Sequence, residues 1–259
     1  MSLLQCSGLV RRYGGVIAVD DVSLDVQAGE IVGLIGPNGS GKSTLVDLMS
    51  GVTPSMAGTT VFGGEDVSKA SPWRIARLGL ARTFQMVRLF PHLSIHDNLV
   101  ISESWRMETG FLAAAMRTVR AETEAAELSA RAMSILAEFD LAGFADRYPG
   151  ELSIGQQRMV EIARCLMGAP RLLLLDEPAA GLSPPNVDRL VDHIRRIRDE
   201  RGTAILLVEH VMRVVMSCCD RVAVLDQGSK IADGPPAQVT ADPAVIAAYL
   251  GVEEGMVDA

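Results

Sequence analysis

The chain has 259 residues with 24 Lys plus Arg against 32 Asp plus Glu, a formal charge of -8, and 48% hydrophobic residues. That is the profile of a folded acidic protein of about two domains, or of one core with an insertion, and it argues against a nucleic-acid binder that works by bulk electrostatics. The longest apolar runs fall far short of the roughly 18 residues needed to span a bilayer. Residues 1–15 lack the order of basic, apolar and small-residue segments that marks a secretory signal, and the four cysteines have neither metal-ligand nor disulfide spacing, which points to a reducing compartment.

Val22, Leu24 and Val26 alternate with polar neighbours and read as a half-buried strand of an antiparallel layer. The continuous run IVGLI at 31–35 reads instead as a strand covered on both faces. After Thr44, the stripe Leu45, Leu48 and Met49 predicts a helix closed by Gly51 and Pro54, and TTVFGG predicts a hairpin strand with its turn. Between about 90 and 150 the composition turns to Ala, Glu, Met and Arg, with Leu128, Ala132, Ile135 or Leu136 and Phe139 at helical spacing, which predicts an inserted helical subdomain. Strand signals return in LLLLDE (172–177), TAILLVEH (203–210) and VAVLD (222–226). Between the first two, Ser183 is the expected N-cap, Pro184 and Pro185 open a helix, and Val187, Leu190, Val191, Ile194 and Ile197 form its buried stripe. A short helix from Asp242 to Leu250 is expected on the core.

The sequence GPNGSGKST stands directly between the IVGLI strand and a helix. Its spacing is that of a P-loop. Gly36, Gly39 and Gly41 let backbone amides turn inward around a phosphate, the helix offers its amino end, Lys42 reaches the outer phosphates and Ser43 is placed to hold Mg2+. Pro37, Asn38, Ser40 and Thr44 complete the loop, and Asn38 and Ser40 read equally as loop-filling residues. A second element, LLLLDEP, ends an apolar strand in two carboxylates, Asp176 to fix a magnesium shell beside Ser43 and Glu177 to polarise an attacking water. His210 and Gln85 are each ambiguous alone: a histidine at a strand end is commonly structural, and most glutamines are solvated. In concert with the other groups they suit in-line attack of water on a terminal phosphorus.

With these residues in view, the chain resembles the ATP-binding subunits of ABC transporters over essentially its whole length, because LSIGQQR at 152–158 resembles the signature of that family and follows the P-loop and precedes LLLLDEP in the family's order. The resemblance implies an α/β P-loop NTPase (ABC ATPase) core with an antiparallel β subdomain and an inserted helical subdomain. The expected division is a core of 1–89 and 151–240, a helical subdomain of 90–150 and a C-terminal helix and tail of 241–259. It implies a head-to-tail dimer in which Ser153, Gly155 and Gln156 of one subunit close over ATP on the P-loop of the other, although Ser153 is equally an N-cap. It further implies Tyr13 as the ring that stacks on adenine, Gln85 as the link between Mg2+ and a transmembrane partner, Gly181, Leu182 and Ser183 as an interface loop, and His210 as a switch. Ile154 stands where the family pattern has a second glycine, and Val211 where an acidic residue is common.

RIARLGLARTFQMVRLFPHLSIHDNLV, the AAGLS loop and the ending DPAVIAAYLG narrow the resemblance to the first ATPase subunit of branched-chain amino acid importers. That implies a peripheral protein on the cytoplasmic face of the membrane, with a second related ATPase, permease subunits and, indirectly, an extracytoplasmic substrate-binding protein as partners, and no nucleic acid. Urea or amide importers, lipopolysaccharide exporters, soluble ABC ATPases and a nucleotide-binding regulator are the alternatives. Leu89, Phe90, Pro91 and Leu93 read either as an apolar patch for a permease coupling helix or as packing inside the insertion.

Overall fold

A computed structural model describes residues 2–106 and 118–254; residues 107–117 of the expected helical segment and 255–259 of the tail lie outside the described residues. The chain divides into two compact units, the first comprising Met1–Arg82, Arg171–Ala180 and Val187–Ala259, the second Thr83–Pro170 and Gly181–Asn186.

The first unit contains two sheets. Strands β1 (Ser2–Tyr13), β2 (Val16–Gln27), β4 (Ala57–Phe62) and β5 (Glu65–Asp66) form an antiparallel sheet in the order β2-β1-β4-β5. The second sheet runs β10-β9-β3-β8-β7-β6, built from β3 (Ile31–Ile35), β6 (Leu80–Arg82), β7 (Leu172–Asp176), β8 (Ala204–Val208), β9 (Arg221–Asp226) and β10 (Ser229–Gly234). It is parallel except for the β9–β10 hairpin. Every residue of β3, β7 and β8 is buried, as their unbroken apolar runs predicted. The period of two is visible in the packing: Val32, Leu34, Leu172, Leu174, Leu206, Val208, Ala223 and Leu225 join one core with Leu4, Leu9, Val22, Leu24 and Val26 of the antiparallel sheet and Leu45 and Met49 of helix α1 (Lys42–Met49).

On the other face the covering layer comes unusually close at Gly33. A Cβ built on Gly33 would lie 3.0 Å from Cys219 Sγ and 3.5 Å from Val215 Cγ1. Glycine in IVGLI therefore lets α7 (Met212–Cys218) approach the central strand. Helix α2 (Pro72–Arg77) precedes β6. Helix α6 (Pro184–Arg201) starts directly after Ser183 and buries Val187, Leu190, Val191, Ile194 and Ile197, the stripe read from its sequence. The tail forms α8 (Pro236–Thr240) and α9 (Pro243–Glu254), longer than the expected helix.

In the second unit, α3 (Ile95–Glu103), α4 (Val119–Glu138) and α5 (Ile154–Leu166) pack on one another. Helix α4 buries Ala132, Ile135 and Leu136, as its spacing predicted. The compact helical unit is wider than the expected 90–150 segment, because α5 packs on α3 and α4 and brings residues 151–170 with it. Among the described residues no helix is long and apolar enough to cross a membrane.

Candidate functional site

The strand ends of the first unit set the geometry of the site. Val208 pairs with Leu34 on one side and with Asp176 on the other, so the carboxyl ends of β3, β8 and β7 finish level. Sites in open parallel sheets form at that edge. Residues 36–41 leave β3 there, and α1 begins at Lys42, three residues earlier than the sequence suggested.

The loop is possible only with its glycines. Gly36 and Gly41 have φ of 148° and 102°, and a Cβ on either would lie 2.0 Å from the Leu225 carbonyl oxygen or 2.2 Å from that of Ala18. Gly39 has φ 79° and nothing within 4 Å of where its Cβ would stand, leaving its backbone open to a phosphate. Pro37 and Ser40 are buried and Asn38 is exposed; the Ser40 amide donates to the Pro37 carbonyl at 3.2 Å, and the Ser40 carbonyl accepts from Gly228 N–H at 3.0 Å. Lys42 is buried, and its Nζ donates to the carbonyls of Gly36 and Pro37, both at 2.8 Å, and to Ser40 Oγ at 3.4 Å. Burial pushes the Lys42 ammonium below its ordinary pKa, and the carboxylates of Glu177 and Asp176 oppose that shift. The P-loop lysine and the two carboxylates of LLLLDEP therefore share one electrostatic site. Ser43 and Thr44 stand in the first turn of α1, Ser43 exposed.

Asp176 ends β7 buried, and its Oδ2 accepts from Arg82 Nη2 at 3.2 Å. Arg82 also donates through Nη1 to Asp47 of α1 at 2.5 Å, so one guanidinium links the strand end to the helix after the P-loop. Burial raises the Asp176 pKa, with Arg82 acting against the rise. Glu177 adopts φ of 47°, and its N–H donates to the Val208 carbonyl at 2.9 Å. A hydroxyl on the first helical turn and a buried carboxylate are hard oxygen donors of the kind Mg2+ takes, so Ser43 and Asp176 fit the ion implied by the sequence.

Tyr13 ends β1 and is about half exposed, with the Arg11 guanidinium 4.7 Å from its ring centroid. It pairs with Val16, two residues before the Ala18 whose carbonyl abuts Gly41. His210 is exposed two residues beyond β8. Between them lies a residue the sequence reading passed over. Glu209 is fully buried, and its Oε1 accepts from Ala179 N–H at 2.7 Å while Oε2 accepts from the amides of His210 at 3.1 Å and Val211 at 3.2 Å. One carboxylate thus fixes both the turn after Glu177 and the backbone that presents His210. Burial raises its pKa, and the three amides act against the rise. The available signal was a carboxylate at the inner end of a wholly apolar strand, where it must find partners. Glu209→Gln replaces one acceptor oxygen with an NH2 group facing amide donors, so stability is expected to fall by about 1–3 kcal/mol, as read by urea unfolding.

Gln85, Ser153, Gly155 and Gln156 belong to the second unit. Ser153 is the N-cap of α5 in a reciprocal box: its Oγ accepts from Gln156 N–H at 3.3 Å and its own N–H donates to Gln156 Oε1 at 3.0 Å. A Cβ on Gly155 would lie 3.3 Å from Asn186 Nδ2 and 3.3 Å from Leu182 Cδ2, so the signature turn packs closely on the residues after Gly181. Ile154 is 64% exposed, so its bulk points away from that packing. Gln85 is exposed. Phe90 and Pro91 are exposed and Leu89 and Leu93 half-buried. Asn98, fully buried, shapes this loop by accepting from Phe90 N–H at 2.8 Å and donating to the carbonyls of Phe90, Leu93 and Ser94 at 3.0–3.1 Å.

A family model described as ABC transporter matches residues 19–180, and one described as branched-chain amino acid ATP-binding cassette transporter matches residues 229–255. The chain is 43% identical over 252 residues to the high-affinity branched-chain amino acid transport ATP-binding protein BraF of Pseudomonas aeruginosa, covering 96% of this chain and 98% of that relative. It is 40% identical over 252 residues to the corresponding protein LivG of Escherichia coli K12, with the same coverage. A solved nucleotide-free ATP-binding cassette from an ABC transporter superposes with a TM-score of 0.84 at 31% identity, covering 96% of this chain and 99% of that one.

Proposed function

The chain belongs to the ABC transporter family, and from that premise we propose that it hydrolyses ATP at the P-loop as an energy-coupling subunit of a branched-chain amino acid importer. The observation that carries the proposal is the convergence of Lys42, Asp176 and Glu177 at level strand ends, beside a loop whose glycines leave amides for phosphates. Lys42 binds the outer phosphates, the amides around Gly39 cradle them, and Tyr13 stacks on the adenine. Ser43 and Asp176, with Gln85, are the residues that would hold Mg2+, which would supply positive charge against the phosphate oxygens. Glu177 orients the attacking water and accepts its proton, and His210 holds the terminal phosphate.

The site is completed across a dimer: Ser153, Gly155 and Gln156 of this chain close over ATP on the P-loop of a second, related ATPase, or of a second copy in isolation. Ser153 and the exposed amino end of α5 suit an anionic phosphate. The exposed loop at Phe90 and Pro91 is the docking surface for a permease on the cytoplasmic face of the membrane, with an extracytoplasmic binding protein delivering cargo to that permease. The cargo reading is supported by the two branched-chain relatives and by the match at residues 229–255.

The test is to copurify the chain with its membrane partners and to measure leucine, isoleucine, valine and urea uptake after its removal. Loss of uptake of the three branched-chain amino acids is expected. Lost urea uptake with normal leucine uptake rejects the cargo, and the absence of any permease partner rejects the transport reading.

A further inference from the structure

A buried ion pair in the second unit has no part in the chemistry above. Arg158 and Glu161 lie one turn apart on α5, with side chains 5% and 0% exposed and Nη1 3.4 Å from Oε2. Two buried charges one helical turn apart are costly to desolvate, and the pair by itself is weak evidence of added stability. What distinguishes the pair is what its remaining atoms hold. Arg158 Nη1 donates to the Phe84 carbonyl and Nη2 to the Gln85 carbonyl, both at 2.9 Å, and Glu161 Oε1 accepts from Arg88 N–H at 3.3 Å. Two turns after Arg158, Arg164 donates to the Arg88 carbonyl at 2.6 Å. One helix therefore grips the main chain on either side of Gln85, and the same helix is capped by Ser153 and Gln156.

We propose that Arg158, with Glu161, is a positioning residue that makes the Ser153–Gln156 turn and the 84–88 backbone one rigid lever, so that capture of a terminal phosphate by the turn is transmitted to Gln85 and to the permease-docking loop after it. The inference rests on the two-subunit reading of the site. The planar fork of the guanidinium spans two successive carbonyls, which a lysine, with one ammonium on a flexible stem, does not do. Arg158→Lys therefore keeps the charge opposite Glu161 and removes the lever, which separates positioning from simple neutralisation of a buried carboxylate. Burial already raises the Glu161 pKa against the opposing effect of Arg88 N–H and Arg158, so loss of the cation also leaves that carboxylate poorly compensated. The pair variant Arg158→Met with Glu161→Met avoids an orphaned charge and serves if the single variant does not fold.

The experiment measures hydrogen exchange of the 84–88 amides, with and without Mg-ATP, in a Glu177→Gln background that retains nucleotide, alongside sedimentation of the same samples. With Arg158 intact, nucleotide is expected to slow exchange there about fivefold or more as the dimer forms. In Arg158→Lys and in the double Met variant the dimer is expected to form, with the slowing reduced to less than about twofold and thermal unfolding of the double variant still cooperative. Equal slowing in the Lys variant overturns the lever. A Glu177→Gln chain that stays monomeric with ATP overturns instead the two-subunit reading beneath it.

Discussion

Glu177→Gln is expected to bind ATP as tightly as the unaltered chain while turning it over about 100- to 10,000-fold more slowly, the range by which a positioned general base accelerates a reaction. The substitution keeps the shape of the side chain and the amide that donates to Val208, so the backbone of the turn has no reason to move. It removes the atom that takes a proton from water. The phosphate cradle of residues 36–44 is untouched, and Lys42 retains the Asp176 carboxylate as a charge partner. Binding by equilibrium dialysis and single-turnover hydrolysis measured on one preparation separate the two effects. Undiminished turnover at saturating ATP removes Glu177 from the role of base.

Lys42→Ala is expected to act on the opposite quantity. Three donors and a charge leave the phosphate site, and charge-assisted bonds in a buried position are worth about 1.5–3 kcal/mol, or roughly 10- to 150-fold in affinity. Without nucleotide the same ammonium ties together the carbonyls of Gly36 and Pro37, so the variant also loses the internal bonds that hold the empty loop in shape. Lys42→Arg is not expected to rescue, because a planar fork cannot occupy a position shaped for a compact ammonium between two carbonyls 2.8 Å away. Isothermal titration checks both; unchanged affinity in the alanine variant rules out the phosphate contact.

Much of the core was readable because burial on two faces leaves an unmistakable trace: IVGLI, LLLLD and AILLV became β3, β7 and β8, and the α6 stripe was recovered residue for residue. Elements without such a trace were missed. Strand β6 has three residues and is defined by its partner β7, while β10, SKIADG, has no alternation and exists because Gln227 and Gly228, with φ of 46° and 84°, turn the chain back onto β9. The site follows the same division. Candidates whose chemistry is carried by local spacing, Gly36 to Ser43 and Asp176 with Glu177, were legible in the sequence alone. Arg82 and the Arg158–Glu161 pair were not, because the groups they hold lie far along the chain or are main-chain atoms; Glu209 left only a carboxylate ending an apolar strand, with nothing to name the amides it holds.

The left-handed backbone at Glu177 bears on how its carboxylate is aimed. A non-glycine residue at φ of 47° carries about 1–2 kcal/mol of steric cost, and here an amide bond to Val208 and the clamp on Ala179 two residues later hold it in place. The main chain beneath the carboxylate is thus set by the fold itself, and only the torsions of the glutamate side chain are left to aim it.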